Sequence, residues 1–260
     1  MNKFNKNIFN NLQSIKEILG KVDEADITAL PNDYIELEVK LDKLEIVIKN
    51  LLKVIKNPFL FNLQEQSDAL WSKITQQTNN HQSTTHSHSI SRVAATSALE
   101  FGELDPLGLA LTKFAEAHDK IGSAQLVQDN DILISFLQPW QTTLDTSIQL
   151  AKNARNTVKQ SRLWLDSCKQ SLKSASPQKV EQARLEMESA EDKLVTQTET
   201  ALTLMKNVLE NPEPLTSLNN LVKAQLSYHQ ASVDALKSIQ TDLDNVQRSA
   251  QDEYKKSRDA

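Results

Sequence analysis

"PNDYIELEVKLDKLEIVIKNLLKVIKNP", residues 31–58, decides the fold. Tyr34, Leu37, Leu41, Leu44, Ile48, Leu51 and Ile55 alternate steps of three and four, a period of 3.5 that lays one apolar seam along a helix and demands partner helices. Asn32 or Asp33 can cap the start, and Asn57–Pro58 is expected to stop it. Glu36 to Lys40 and Glu45 to Lys49 add solvent-side pairs in the favourable orientation, each worth only ~0.2–0.5 kcal/mol.

The same spacing recurs downstream. A helix is predicted to start near Pro106, with Ala110, Phe114, Ala117, Ile121 and Ala124 on one face. A seam then runs through Leu133, Phe136, Trp140, Leu144, Ile148 and Ala151, crossing Pro139, where a helix interior has to kink. Ala154, Val158, Ser161, Leu165, Cys168, Leu172 and Ala175 continue it to "SASPQ", whose Pro177 turns the chain. Val180, Ala183, Met187, Ala190, Leu194, Gln197, Ala201, Leu204 and Val208 return, "NPEP" breaks the helix, and a last one runs from Leu215 towards Arg258, on the order of 65 Å. Such lengths predict an elongated bundle with surplus apolar surface, and hence a homodimer.

Composition excludes the alternatives. The 260 residues hold 4 glycines, all before residue 123, against a norm of roughly 7%, so the remainder is poor material for hairpins. With 29 basic and 34 acidic residues the net charge is −5, which attracts neither nucleic acid nor anionic lipid globally. One cysteine, Cys168, allows no internal disulfide and is expected as a buried small hydrophobe. No run reaches the ~20 apolar residues of a membrane span and no secretory signal opens the chain, so a cytoplasmic protein is expected. No glycine-rich phosphate loop, nucleophile elbow or metal-ligand set occurs: no enzyme, no cofactor and no metal are expected. "QQTNNHQSTTHSHSISR", residues 76–92, is polar and aperiodic and reads as a flexible insert, its His81, His86 and His88 solvated.

Two patches could carry function. Lys152, Arg155, Lys159, Arg162, Lys169 and Lys173 occupy an arc of about 100° on one helix, interrupted only by Asp166. With Lys179, residues 151–179 hold seven basic side chains and one acidic. Either these cations pair with Glu181, Glu186, Glu188 and Glu191 on the return helix, or they form a rigid basic surface for lipid phosphates, each contributing ~1 kcal/mol. At the N-terminus, "MNKFNKNIFNNLQSIKEILGKV" puts Phe4, Ile8, Leu12, Ile15 and Leu19 on one helical face with Lys3, Lys6, Lys16 and Lys21 around it. Five asparagines in its first eleven residues disfavour a helix in water. A helix formed on a membrane resolves the conflict, and one docked on the bundle is the alternative.

The ordered stretches "DITALPNDYIELEVKLDKLE", "LALTKFAEAHDKIGSAQLVQDNDILISFLQPWQ", "SRLWLD", "ARLEMESAEDKLVTQTETAL" and "LVKAQLSYHQASVDAL" together resemble a BAR (Bin/amphiphysin/Rvs) domain over roughly Asp26 to Ala250. The likeness is nearest to the fungal Golgi-vesicle BAR proteins and clear to the endophilin type. It implies a crescent-shaped homodimer of kinked three-helix antiparallel coiled coils, whose basic concave face and tips bind curved anionic membrane. Ala224, Gln225, Tyr228 and His229 match a block that the family places near the dimer centre, where polar groups can set register. Arg162, Leu163, Leu165, Asp166 and Lys169 match the endophilin stretch leading to the tip. "SCKQSLKS" departs from the dense basic run of that type, which weakens the expectation of autonomous tubulation.

The expected protein is therefore all-α, with an amphipathic segment at 1–25 and a BAR domain at 26–256. Its expected function is to bind anionic phospholipid membrane and to sense or stabilise curvature in vesicle trafficking on Golgi, endosomal or endocytic membranes. Lys152, Arg155, Lys159, Arg162, Lys169, Lys173 and Lys179 would bind the membrane, Phe4, Ile8, Leu12, Ile15 and Leu19 would insert, and Leu133, Phe136, Trp140, Leu144, Leu226, Tyr228 and Val233 would form the dimer interface. Trafficking proteins are further partners, and nucleic acid is not. The alternative is a dimeric coiled-coil scaffold or tether that acts through protein partners with little direct lipid binding.

Overall fold

The computed structural model describes residues 27–63, 85–102 and 104–259, and every regular element among them is helical. The elements are α1 (Asn32–Leu63), α2 (His86–Phe101), α3 (Pro106–Ile132), α4 (Gln138–Thr143), α5 (Gln149–Lys173), α6 (Val180–Glu210) and α7 (Glu213–Asp259). Two π-helical turns, Leu133–Leu137 and Leu144–Ile148, join α3, α4 and α5 into one helical run. The chain forms two compact units, one from residues up to Leu51 with Gln141–Pro212, the other from Leu52–Trp140 with the chain from Glu213 onward.

In the first unit α5 lies between α1 and α6, and the 3.5-residue seams meet in its core. Tyr34, Leu41 and Ile48 come from α1, Ala151, Val158, Leu165 and Cys168 from α5, and Ala190, Leu194, Ala201 and Met205 from α6. Fully burying a large apolar side chain is worth ~1.5–3 kcal/mol, so these seams, not helix propensity, hold the unit together. Tyr34 adds a tension, because its hydroxyl is buried beside the Glu38 carboxylate. Burial first, then the Glu38 carboxylate, raises that hydroxyl above its ordinary pKa while Arg155 opposes.

In the second unit α3 is flanked by α2 and α7. Small residues are buried on both α2 and α3: Ala94 and Ala98 on the one, Ala115, Ala117 and Gly122 on the other. Gly122 is required there, since an added Cβ would lie 2.6 Å from Nδ1 of His88. Across the hairpin Gly102 turns the chain with φ +84, and Asp105 caps α3 by accepting from the N–H groups of Leu107 (2.8 Å) and Gly108 (3.3 Å), with Pro106 in the first turn.

Two expectations about local structure change, and a third, at Pro139, gains detail. Residues 85–92 of the expected flexible insert are ordered: Thr85 caps α2, accepting from the His88 N–H (3.3 Å), while His88 Nδ1 accepts from the Thr85 N–H (3.2 Å). This is a capping box with histidine in the glutamate position, a substitution that hides the usual sequence signature. Residues 76–84 and the segment 1–25 lie outside the described residues. Asn57–Pro58 does not stop α1, which continues to Leu63, because proline removes one backbone bond and the turns on either side keep theirs. Around Pro139 the helix widens: the Gln138 N–H reaches five residues back to the Leu133 carbonyl, an expanded turn that makes room before the ring.

Candidate membrane-binding surface

The expected basic stripe lies on α5, and the structure divides it. At the N-terminal end of α5, Lys152 Nζ donates to Glu45 of α1 at 2.8 Å, and Lys49 reaches the same carboxylate at 2.6 Å. Arg155 donates through Nε to Glu38 (2.9 Å) and through both terminal nitrogens to Asp42 (2.6 and 3.2 Å). Glu38, Asp42 and Glu45 recur every three or four residues on α1, and their register against Arg155 and Lys152 makes the two helices antiparallel. The hydrogen bond from Lys152, then that from Lys49, holds the Glu45 carboxyl below its ordinary value. Burial alone would lower Arg155, but its bonds to Asp42 and Glu38 outweigh burial and raise it.

The partners of Lys152 and Arg155 are thus on α1, and on the return helix Glu181, Glu186, Glu188 and Glu191 are all exposed. Two of those four are engaged within α6, by Gln182 on Glu186 (3.0 Å) and by Arg184 on Glu188 (3.0 Å). The acidic stripe of α1 was legible at i, i+4 and i+7. Pairing it with α5 required the register that only packing supplies.

Towards the C-terminal end of α5 the arrangement differs. Lys159 and Lys179 are exposed and make no ion pair among the described residues, Lys173 is exposed, and Arg162 is half-buried. Lys169 donates to the Thr28 hydroxyl oxygen at 2.8 Å. Asp166, the one acid in the stripe, is 1% exposed and turned inward, where its Oδ1 accepts both the backbone N–H of Thr28 (3.0 Å) and the Thr28 hydroxyl. Nothing in the sequence singled out Thr28. The basic face is therefore held by α1 carboxylates at one end, and Lys159 and Lys179 are exposed without an ion pair among the described residues.

The expected interface residues also divide. Phe136 (0% exposed) and Trp140 (4% exposed) belong to the protomer's own core, their rings 4.6 Å apart, with Trp140 Nε1 donating to the Pro214 carbonyl at 3.3 Å. Both side chains are thus buried within the protomer itself. Leu133, Leu144 and Tyr228 are half-buried, and Leu226 and Val233 are exposed. On α7, Ser217, Leu221, Ala224, Ala235 and Ile239 form the buried arc, and Leu215, Leu218, Val222, Leu226, Val233 and Leu236 form an exposed apolar arc, offset by about 120° at 100° per residue. Gln225 and His229 lie with the exposed arc. The polar residues among the apolar positions of α7 are outside the protomer core.

A family model described as the Bin/amphiphysin/Rvs domain for vesicular trafficking matches residues 7–62 and 57–245. The chain belongs to this BAR family. Among curated relatives it is similar to Protein GVP36 of Saccharomyces cerevisiae, 27% identical over 257 residues, covering 86% of this chain and 78% of that protein. The Meiotically up-regulated gene 64 protein of Schizosaccharomyces pombe is 28% identical over 152 residues, 58% of this chain and 53% of that one. Endophilin-B2 of Homo sapiens is 33% identical over 91 residues, 35% of this chain and 23% of that one. The BAR resemblance read from the ordered stretches is thereby established, and no helix among the described residues is long and apolar enough to cross a membrane.

Proposed function

We propose that this BAR protein is a peripheral membrane protein that binds anionic membrane as a homodimer and senses or stabilises curvature in vesicle trafficking, on Golgi, endosomal or endocytic membranes. The observation that carries the reading is the exposure of Lys159, Lys173 and Lys179 at the surface, with the one acid of the stripe, Asp166, buried. Each such cation contributes ~1 kcal/mol near an anionic surface. Lys152 and Arg155, already held by α1 carboxylates, contribute less to lipid binding. The exposed arc of α7 supports dimerisation, with Leu226, Tyr228 and Val233 at the interface and Leu133 and Leu144 at its margin. Phe4, Ile8, Leu12, Ile15 and Leu19 are assigned to insertion into the bilayer.

Co-sedimentation with phosphatidylserine-containing vesicles of several diameters tests the reading. Lys159→Glu, Lys173→Glu and Lys179→Glu together remove about 3 kcal/mol, so affinity should fall roughly a hundredfold with helix content intact. Unchanged binding refutes the lipid surface. Deleting residues 1–22 should weaken binding to small vesicles and leave the dimer intact, and equal binding by the two proteins refutes insertion. The ion pairs of Lys152 and Arg155 favour a second reading, the dimeric scaffold acting through trafficking proteins. That reading requires vesicle binding to be weak in the unaltered protein.

A further inference from the structure

We propose that Ser176 is a phosphoacceptor for a proline-directed serine/threonine kinase, and that its phosphate releases the protein from anionic membrane. The release rests on the lipid-binding proposal, and the acceptor site does not.

Of the 7 prolines in the chain, only Pro177 follows a hydroxyl residue. "SPQK", residues 176–179, also sets a lysine three positions after the serine, where kinases of the cyclin-dependent type take a cation. Proline suits the position after the acceptor because it brings no N–H for the kinase to satisfy. Such a motif is short, and the structure adds access to it. Ser176 lies between α5 and α6, and the side chains of residues 176–182 are all exposed. Its hydroxyl makes no hydrogen bond among the described residues, whereas Ser171 and Ser174 donate to α5 carbonyls at 2.9 and 3.0 Å. A kinase takes its substrate as an extended segment, so the turn has to open. Opening breaks the bonds that the Ser176 carbonyl accepts from the N–H groups of Lys179 (2.8 Å) and Val180 (3.1 Å), and it uncovers no buried side chain.

In the transfer the Ser176 Oγ attacks the γ-phosphorus of ATP and its proton passes to the kinase's catalytic carboxylate. An Oγ–P bond forms as the bond to ADP breaks, and ADP leaves. The phosphate brings a charge of about −1.5 to −2 at pH 7. It arrives three residues from Lys179, one of the exposed cations assigned to lipid. Near an anionic surface each elementary charge changes affinity about fivefold, so the phosphate should weaken binding about ten- to thirtyfold. The fold tolerates it, because the Ser176 carbonyl already opens the turn into α6 and a negative group is favourable ahead of a helix.

The experiment incubates the full chain with a cyclin-dependent kinase and Mg²⁺–ATP, maps phosphate by mass spectrometry, and measures co-sedimentation with phosphatidylcholine–phosphatidylserine vesicles before and after. Phosphate should appear on Ser176, be absent there in Ser176→Ala, and form at least tenfold more slowly in Pro177→Ala. Affinity should fall at least tenfold with helix content kept, and a phosphatase should restore it. No phosphate on Ser176 of the unaltered chain, or equal rates with and without Pro177, overturns the acceptor site. Equal vesicle binding by the phosphorylated and unmodified proteins overturns release, as does an equal fall in kinase-treated Ser176→Ala. If the unmodified protein does not sediment with these vesicles, lipid binding and release fall together, while phosphate on Ser176 still establishes the acceptor.

Discussion

Replacing Gly122 with alanine is predicted to destabilise the protein although alanine is the better helix former. In an unencumbered helix interior the change gains about 1 kcal/mol. Here the new methyl would sit 2.6 Å from Nδ1 of His88 and 2.7 Å from two carbons of the same ring. The ring cannot simply swing away, because its Nδ1 accepts from the Thr85 N–H at 3.2 Å and closes the capping box of α2. Displacing it forfeits a cap worth about 1 kcal/mol and packing of similar size between α2 and α3. The net expectation is a loss of about 1 kcal/mol for Gly122→Ala alone. In a His88→Ala background the obstacle is gone, and the same substitution should stabilise by about 1 kcal/mol. The sign reverses, and the coupling between the two sites is about 2 kcal/mol. Urea unfolding followed by circular dichroism measures all four corners of the cycle, at fixed protein concentration because dimerisation is linked to stability. Equal stabilisation by Gly122→Ala in both backgrounds would refute the close-approach argument.

Asp129 is raised by burial from 3.8 to about 6, so folding favours its protonated form. Its cost is full above about pH 6 and disappears as pH falls towards 3.8. Asp129→Asn should raise stability at pH 7 by on the order of 1–2 kcal/mol and make no difference below pH 4, read from denaturant midpoints across pH. Glu45 runs the other way: its carboxyl is depressed, so its contribution is present above the ordinary carboxylate pKa and is lost as pH falls through the lower folded value. Lys152→Met should therefore flatten the acid limb of the stability profile, and an unchanged limb would contradict the pairing. Leu226→Asp should convert dimer to monomer in light scattering with helix content kept. Phe136→Ala should instead cost about 3–5 kcal/mol of unfolding free energy, and a Phe136→Ala protein of normal stability would return that residue to the surface.

The long helices α1, α3, α5, α6 and α7 and their order were legible in the sequence, and α2 was not. A 3.5-residue apolar period sustained through Tyr34–Ile55, Ala154–Ala175 and Val180–Val208, in a chain with 4 glycines, leaves no competing fold class. The breaks at Ser174–Lys179 and at Asn211–Pro212 follow from the same local chemistry. Ion-pair partners were not legible, because the cations of α5 match the acids of α6 as well as those of α1. Only the packed register sets Arg155 against Glu38 and Asp42, and Lys152 against Glu45. Nor could periodicity separate the two apolar arcs of α7, since Leu221 and Leu226 look alike in sequence, and one is buried while the other is exposed. Asp166 shows the limit most clearly. In the sequence it is a gap in a basic stripe, and in the folded protein it is a buried acceptor for a threonine 138 positions away. Periodicity reports which side of a helix avoids water, and tertiary structure decides which neighbour takes the place of that water.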